Sequence, residues 1–150
     1  MRMSSTDEVF ITAPLEDVQR ALLQLGAGDP WWPRARVQTN GGRLSLDAPA
    51  GRRFARVKFA AAISNIRPRE GLTWTLERGE LRGRGEWWME SFKNGTIVHY
   101  YLDVEPGDRG RFRRPSSRVR RHRWAIRLGI NGLKDFLELR ARAGAGALSS

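Results

Sequence analysis

The stretch LRGRGEWWMESFKNGTIVHYYLDVE, residues 81–105, alternates between apolar and polar residues on both sides of Asn94-Gly95. This dipeptide is typical of a two-residue β-turn, which fixes the residues that face each other across a hairpin. With the turn there, Trp87 pairs with Leu102, one face becomes nearly all apolar, and the charged residues share the other. A shift of one residue would mix the two faces. The stretch therefore predicts an antiparallel hairpin with one buried face.

A second turn signal, Arg78-Gly79, assigns the same inward face independently. It places Trp74 opposite Gly83 and gives the strand shared by the two hairpins the same alternation. Glycine on the inward face removes side-chain volume where a sheet bends. The two hairpins together predict a curved antiparallel meander with a concave apolar face.

Period-two alternation covers most of residues 34–105 and predicts six strands in meander order. Asn40-Gly41 marks a third turn, and residues 54–66 alternate inward apolar side chains with outward basic ones. A short strand at residues 7–12 precedes the six. We therefore predict a curved seven-stranded antiparallel sheet.

Helical spacing of apolar residues predicts an amphipathic helix over residues 15–25. Asp29-Pro30 has the form of an N-cap followed by proline at the first helical position, so Trp31 and Trp32 are predicted on a second, very short helix. A long C-terminal helix begins near residue 116. Its main apolar stripe is formed by Ile126, Ile130, Leu133 and Leu137.

These elements define one α+β domain, and 150 residues are enough for one domain with a sizeable core. We assign the domain to residues 7–142, with a basic loop at residues 107–117. The ends of the chain, residues 1–6 and 143–150, are expected to be disordered.

The composition excludes several function classes. The chain has no cysteine, which excludes disulfides, thiolate catalysis and cysteine-based zinc sites. Its apolar runs are shorter than the ~20 residues of a membrane span, and residues 1–5 lack the apolar segment of a signal peptide. No metal-ligand spacing, nucleophile elbow or phosphate-binding loop is present. We expect a cytoplasmic protein without a metal or cofactor.

The net charge of +11 comes mainly from one segment. Residues 109–127 contain nine arginines and no acid, so the rest of the chain carries only +2. Three of these arginines lie in the predicted first turn of the long helix, where the macrodipole opposes each by about 0.3–1 kcal/mol. A bound anion would offset this cost, so the predicted anion-binding residues are Arg118, Arg120 and Arg121.

The partner of such a site is predicted to be an acidic membrane surface or another polyanion, such as nucleic acid. Phe112 and Trp124 flank the arginines and permit contact with a membrane surface. No helix-turn-helix or zinc-finger pattern accompanies them, so specific DNA recognition is not expected. A solvated loop with screened charges is the alternative interpretation.

Five short stretches carry a family resemblance, and they occur in the predicted order of strand, two helices, six strands and closing helix. They are Val9–Pro14 with Val18, Asp29–Pro33, Gly95-Thr96, Val104–Pro106 and Gly132–Glu138. Over roughly residues 7–142 the chain resembles the polyketide cyclase/dehydrase-like branch of the START-like (birch-pollen-allergen-like) superfamily. The resemblance implies the helix-grip fold, with a cavity between the sheet and the C-terminal helix. The arginine-rich segment departs from the family pattern.

This superfamily spans lipid carriers, hormone receptors and cyclases, so the resemblance specifies fold better than activity. It implies binding or transport of an apolar small molecule, lipid-like or aromatic and polyketide-like, on the concave face. Periodicity alone favours a filled core in which aromatic side chains pack on glycines. The candidate ligand-binding residues are Phe59, Ile63, Trp74, Trp87, Met89, Tyr100, Leu102, Ile126, Ile130, Leu133 and Leu137, with Trp31 and Trp32 at the mouth, one as core and the other as a gate.

The same assignment argues against catalysis. The predicted inward residues include no Asp, Glu, His or Lys, which are the usual general acids and bases. We interpret His99 as a surface partner of Glu90, and His122 as a solvated residue of the arginine-rich segment. Tyr100 remains the one catalytic candidate for an alternative function as a polyketide cyclase or dehydratase.

Overall fold

A computed structural model of the protein describes residues 1–149. The seven strands form one antiparallel sheet in the order β1-β7-β6-β5-β4-β3-β2, which confirms the predicted topology. The elements are β1 (Met3–Ile11), α1 (Leu15–Leu23), β2 (Arg36–Asn40), β3 (Arg43–Pro49), β4 (Arg56–Arg67), β5 (Gly71–Arg78), β6 (Leu81–Phe92), β7 (Gly95–Pro106) and α2 (Pro115–Ser149).

The core lies between the concave face of the sheet and α2. Leu72, Trp87 and Leu102 are fully buried on the sheet, and Ile126 and Leu133 are fully buried on the helix. Burying a large apolar side chain stabilises a fold by about 1.5–3 kcal/mol. The predicted inward face and the predicted helix stripe therefore form one continuous core.

The hairpin turns lie one residue away from the predicted dipeptides. β2 and β3 are joined through Gly41-Gly42 instead of Asn40-Gly41, and both glycines have positive φ, 56° and 80°. Glycine reaches this conformation without a Cβ clash. β5 and β6 are joined through Gly79-Glu80 instead of Arg78-Gly79.

β6 and β7 are joined through Lys93-Asn94 instead of Asn94-Gly95, because Gly95 belongs to β7 and pairs with Phe92. A Cβ on Gly95 would collide with the carbonyl oxygen of Ile11 in the neighbouring strand β1. The glycine is thus needed for strand packing, and Lys93 adopts the positive φ of the turn, 51°.

These shifts change the cross-strand partners and preserve the faces. Trp87 pairs with Tyr100 rather than Leu102, and Trp74 pairs with Gly85 rather than Gly83. Moving a two-residue turn by one position shifts the pairing by two residues, which is one full period of side-chain alternation. The predicted inward residues therefore remain inward.

The predicted second short helix is wrong. Trp31 and Trp32 lie in an irregular segment between α1 and β2, and proline at position 33 disfavours helical backbone at the preceding residue. The segment packs against α2, where a Cβ on Gly129 would come within 2.5 Å of the Trp32 ring. The glycine forms a notch in the helix that receives the indole.

Both predicted disordered ends differ from the structure. β1 begins at Met3 and pairs with β7 as far as Val104, and Arg2 donates a hydrogen bond of 2.8 Å to Asp103. Pairing with the edge of β7 satisfies backbone groups that would otherwise be open. α2 extends to Ser149, and residue 150 lies outside the described residues.

Within residues 1–149, no helix is both long enough and apolar enough to cross a membrane.

Candidate functional site

Six buried aromatic side chains form a contiguous group between the sheet and α2, here called the aromatic cluster. Ring centroids lie 5.1 Å apart for Trp74 and Trp87, and 4.6 Å apart for Trp87 and Tyr100. Every ring is at most 7% exposed. The cluster consists of Trp32, Phe59, Trp74, Trp87, Tyr100 and His122.

A glycine in β6 gives the cluster its shape. Gly85 lies between Trp74 of β5 and Leu102 of β7 in the sheet. A Cβ on Gly85 would overlap the hydroxyl group of Tyr100, so the phenol occupies the space that a side chain would fill. Glycine at this position therefore lets a tyrosine extend along the sheet surface towards α2.

Three indole N–H groups in the cluster have no hydrogen-bond acceptor among the described residues. They belong to Trp32, Trp74 and Trp87, whose side chains are all nine-tenths buried or more. In contrast, the neighbouring Trp31 donates its N–H to the carbonyl oxygen of Ala21 at 3.1 Å. A buried donor without an acceptor costs about 1–3 kcal/mol. Three such donors in one cluster are a large cost that a bound acceptor would remove.

Tyr100 and His122 form the polar centre of the cluster. The tyrosine hydroxyl and His122 Nε2 lie 2.9 Å apart. Burial lowers the pKa of His122 to about 4, although the charge of Asp7 works in the opposite direction. Burial also raises the pKa of Tyr100 well above its ordinary range. Both groups are neutral near pH 7 and share one hydrogen bond.

The prediction that His122 is a solvated residue of the arginine-rich segment is wrong, since the side chain is 2% exposed. The signal was present in the helix period. His122 lies four residues before Ile126 and three before Ala125, both fully buried, so it continues the apolar stripe towards the helix start.

Asp7 is a second buried ionisable residue that the sequence reasoning missed. It lies opposite Tyr100 in the β1–β7 pairing and receives Arg123 at 3.1 Å and Arg127 at 2.7 Å. Burial raises the pKa of the Asp7 carboxyl, but hydrogen bonds and charge from the two arginines outweigh it and hold the pKa below the ordinary value. The signal was its position two residues before Val9 in the inward alternation of β1.

Little free volume remains inside the domain as described. Between the sheet and α2 lies a cavity of about 10 Å³, lined in part by Phe59, Arg118 and His122. That volume is close to the minimum for one water molecule. Larger clefts lie at the surface, including one of about 290 Å³ between α1 and α2 that is lined by Trp31 and Leu137. Side chains thus fill the space beside Phe59 and His122 in this conformation.

The structure brings most of the predicted ligand-binding residues together. The partly buried exception is Ile63, and Leu137 lies at the far end of the helix stripe, beside the surface cleft. A ligand-binding role for these residues stays a prediction. Those buried in the core are Trp31, Trp32, Phe59, Trp74, Trp87, Met89, Tyr100, Leu102, Ile126, Ile130, Leu133 and Leu137.

Two of the three predicted anion-binding arginines are engaged inside the protein. Arg118 is 6% exposed and donates to the carbonyl oxygens of Glu80 at 3.0 Å and Gly107 at 3.2 Å. Arg121 contacts the Glu80 carboxylate at 3.4 Å. Arg120 is exposed. The prediction of one anion site made by these three side chains therefore does not match their placement.

The convex face of the sheet carries His99, which contacts Glu8 at 2.9 Å and Glu90 at 3.4 Å and stacks on Trp88. This agrees with its interpretation as a surface partner of Glu90. Within the described part of the chain, no three His, Asp or Glu side chains converge as a metal site would require.

Comparison with known proteins identifies the fold. No protein-family profile and no curated protein sequence matches the chain. Among solved structures, the Zhui aromatase/cyclase from Streptomyces sp. R1128 aligns with a TM-score of 0.71 and 15% identity over 96% of this chain and 98% of that one. A START superfamily protein from Mycobacterium smegmatis aligns with a TM-score of 0.65 and 15% identity, over 92% and 97% of the two chains.

A third structure, Ara h 8.0201, aligns with a TM-score of 0.67 and 11% identity, covering 91% of this chain and 98% of that one. These alignments span nearly the whole domain, so the chain shares the helix-grip fold of these structures, as the sequence predicts. At such low identity the similarity concerns the fold alone.

Proposed function

We propose that this domain binds an apolar, ring-containing small molecule with carbonyl oxygens, in the space between the concave sheet and α2. One observation carries the proposal: three indole N–H groups, on Trp32, Trp74 and Trp87, are buried in the aromatic cluster and lack an acceptor among the described residues. Small-molecule sites are typically apolar and contain few, well-placed polar groups, and this cluster has that composition.

The chemistry of the cluster selects the ligand class. Indole N–H groups donate and cannot accept, so they complement carbonyl or ether oxygens. The ring faces favour offset or edge-on contact with another ring, worth about 0.5–1.5 kcal/mol beyond the area buried. A flat polycyclic ketone of the polyketide type satisfies both demands, and one structural neighbour is named as an aromatase/cyclase.

Binding requires side chains to move, because the cavity beside His122 holds about 10 Å³. Trp32 is the best candidate for the gate that the sequence predicts at the mouth. Its segment has no regular structure, and its N–H has no acceptor among the described residues, whereas Trp31 is anchored on Ala21. Displacing the Trp32 indole from the Gly129 notch would open the cluster from one side.

Tryptophan fluorescence tests the proposal directly. We expect a hydroxylated anthraquinone to quench the emission saturably and to bind more tightly than anthracene, which has the same three rings and no carbonyl. Trp87→Phe should reduce this preference by about two- to ten-fold, the value of one hydrogen bond. Trp88→Phe, on the convex face and 49% exposed, is the matched control and should leave the preference unchanged. If neither compound quenches the emission saturably, the proposal is overturned.

The Tyr100–His122 pair favours cyclisation or dehydration as a second candidate function. The tyrosine hydroxyl can donate its one proton to a substrate carbonyl when His122 Nε2–H donates to the hydroxyl oxygen. However, the raised pKa of Tyr100 and the lowered pKa of His122 make them a poor acid and a poor base near pH 7. The pair is therefore better suited to holding a carbonyl than to moving protons. Unchanged turnover of a poly-β-ketone substrate by Tyr100→Phe would eliminate this candidate.

A further inference from the structure

Two loops of similar composition lie outside the aromatic cluster. The segment between β3 and β4 contains Gly-Arg-Arg-Phe at residues 51–54, and the segment between β7 and α2 contains Gly-Arg-Phe-Arg-Arg at residues 110–114. In both, one phenylalanine stands among arginines. Phe54 is 95% exposed and Phe112 is as exposed as a free side chain, 105%. Two fully exposed phenylalanines are unusual for a surface that meets only water.

The two loops lie at the same end of the molecule. The Arg121 guanidinium in α2 hydrogen-bonds the backbone carbonyl of Arg56, two residues after Phe54. The same guanidinium contacts the Glu80 carboxylate, which receives Arg113, the residue after Phe112, at 2.8 Å. One side chain thus joins both loops. We call residues 50–55 and 107–114 the basic end.

The second loop is held in place from inside. Arg118 donates to the carbonyl oxygens of Glu80, Gly107 and Arg113 at 3.0 to 3.2 Å. The backbone N–H of Arg109 also donates to the carbonyl oxygen of Gly79. The exposed residues of this loop therefore project from an anchored backbone, and little ordering entropy is lost when a partner binds.

The basic end carries positive charge with no internal partner. Five of its arginines have no carboxylate within 4.0 Å among the described residues, and the only acid in its two segments is Asp108. All five are exposed. They are Arg52, Arg53, Arg109, Arg111 and Arg114.

We propose that the basic end docks the domain on an anionic lipid bilayer, with the Phe54 and Phe112 rings inserted between headgroups. An acidic bilayer supplies negative charge that would pair with the arginines and hydrocarbon in which the phenyl rings could be buried. A nucleic acid would neutralise the charge, but it would leave the apolar side chains in water unless bases stacked on them. This inference does not depend on ligand binding by the aromatic cluster. Docking would bring the Phe59–His122 cavity close to the membrane, since Glu80 lines that cavity.

Sedimentation of the full-length protein with lipid vesicles tests the proposal. We expect binding to phosphatidylcholine vesicles that contain phosphatidylglycerol, weak binding to pure phosphatidylcholine, and a decrease as salt rises. Arg111→Glu and Arg114→Glu should each weaken binding about five-fold or more. Arg142→Glu is the matched control, since it changes the net charge equally at an exposed position near the other end of α2.

The apolar part of the proposal has its own variants. Phe54→Ser with Phe112→Ser should weaken vesicle binding on the order of ten-fold without lowering the thermal stability, because both rings are exposed. Ile66→Ser, half-exposed at the opposite end of β4, should have no effect on binding.

Three outcomes would overturn the proposal. The first is equal binding to neutral and acidic vesicles. The second is loss of binding in the arginine variants with no effect of the phenylalanine variants. The third is tighter binding to single-stranded RNA than to acidic vesicles at the same salt concentration. The second would show attraction by charge alone without insertion of the rings, and the third would assign the basic end to a soluble polyanion.

Discussion

The Tyr100 hydroxyl and His122 Nε2 lie 2.9 Å apart in the interior, where both side chains are almost completely buried. The hydrogen bond joins the middle of β7 to the second turn of α2. It pairs the tyrosine hydroxyl with His122 Nε2, in a cluster where three indole N–H groups have no acceptor among the described residues. Two properties of the interior therefore depend on this pair: the response of stability to pH, through His122, and the packing over Gly85, through Tyr100.

The buried imidazole predicts a loss of stability in mild acid. His122 has a pKa of about 4 in the folded protein and about 6.5 in an unfolded chain. Between these values the unfolded chain binds more protons, so the free energy of unfolding falls as the pH falls from 6.5 to 4 and is insensitive to His122 above 6.5. Urea unfolding should show a decrease of about 2 kcal/mol between pH 7 and pH 5 from this residue.

His122→Gln should flatten that part of the pH profile, whereas His99→Gln on the convex face should preserve it. An equally steep profile in His122→Gln would show that the imidazole is already charged, or exposed, in the folded protein.

The space above Gly85 predicts a specific steric effect. A methyl group there would overlap the Tyr100 hydroxyl and push it away from His122. We expect Gly85→Ala to lower the free energy of unfolding by about 1–3 kcal/mol, the usual cost of overpacking a core. Gly28→Ala is the control, because a Cβ there would meet Gln24 at 3.4 Å, which is ordinary contact. Equal stability of the two variants would mean that Tyr100 does not extend over Gly85.

The ion pairs of Asp7 predict a link between β1 and α2. Asp7→Asn removes the charge that Arg123 and Arg127 neutralise, but both arginines are partly exposed and can turn to water. The cost should therefore be about 1–2 kcal/mol, below the about 3–5 kcal/mol of a fully buried pair. Because the pKa of Asp7 is lowered in the folded state, its contribution is present above about pH 4 and is lost as the pH falls through the folded pKa.

Chemical denaturation at pH 7 measures this cost. Glu105→Gln, which breaks the exposed pair with Arg82, should produce no detectable change. An Asp7→Asn protein as stable as the parent would refute the link.

Local patterns predicted which strand residues face inward more reliably than they predicted which residues pair across neighbouring strands. The inward faces of β5, β6 and β7 followed from alternation and are correct, while the three turns were each misplaced by one residue. Gly95 shows the cause: its role is to avoid the Ile11 carbonyl of β1, a strand more than eighty residues earlier in the chain. A turn rule that considers only two adjacent hairpin strands cannot include a third strand.

The candidate site divides in the same way. Trp74, Trp87 and Tyr100 were predicted inward because a strand exposes alternate residues to alternate faces. His122 was misassigned because its neighbours are arginines, although its spacing from Ile126 placed it on the buried stripe. Arg118 was predicted to bind an external anion, but its guanidinium donates hydrogen bonds to the carbonyl oxygens of two loops. The composition of a segment gives only its average polarity, whereas the burial of each side chain depends on whether it points towards the core or towards solvent.

The sequence by itself determined which side chains share a face, because backbone periodicity is a property of each strand and helix alone. It also determined the order of the seven strands and the closing helix, and its family resemblance implied the helix-grip fold. Only the tertiary structure decided which buried groups meet across elements: Tyr100 with His122, Asp7 with two arginines, and Trp32 with the notch at Gly129. The physical reason is that these contacts depend on the distance and rotation between separate elements, which are set by the packing of the whole core.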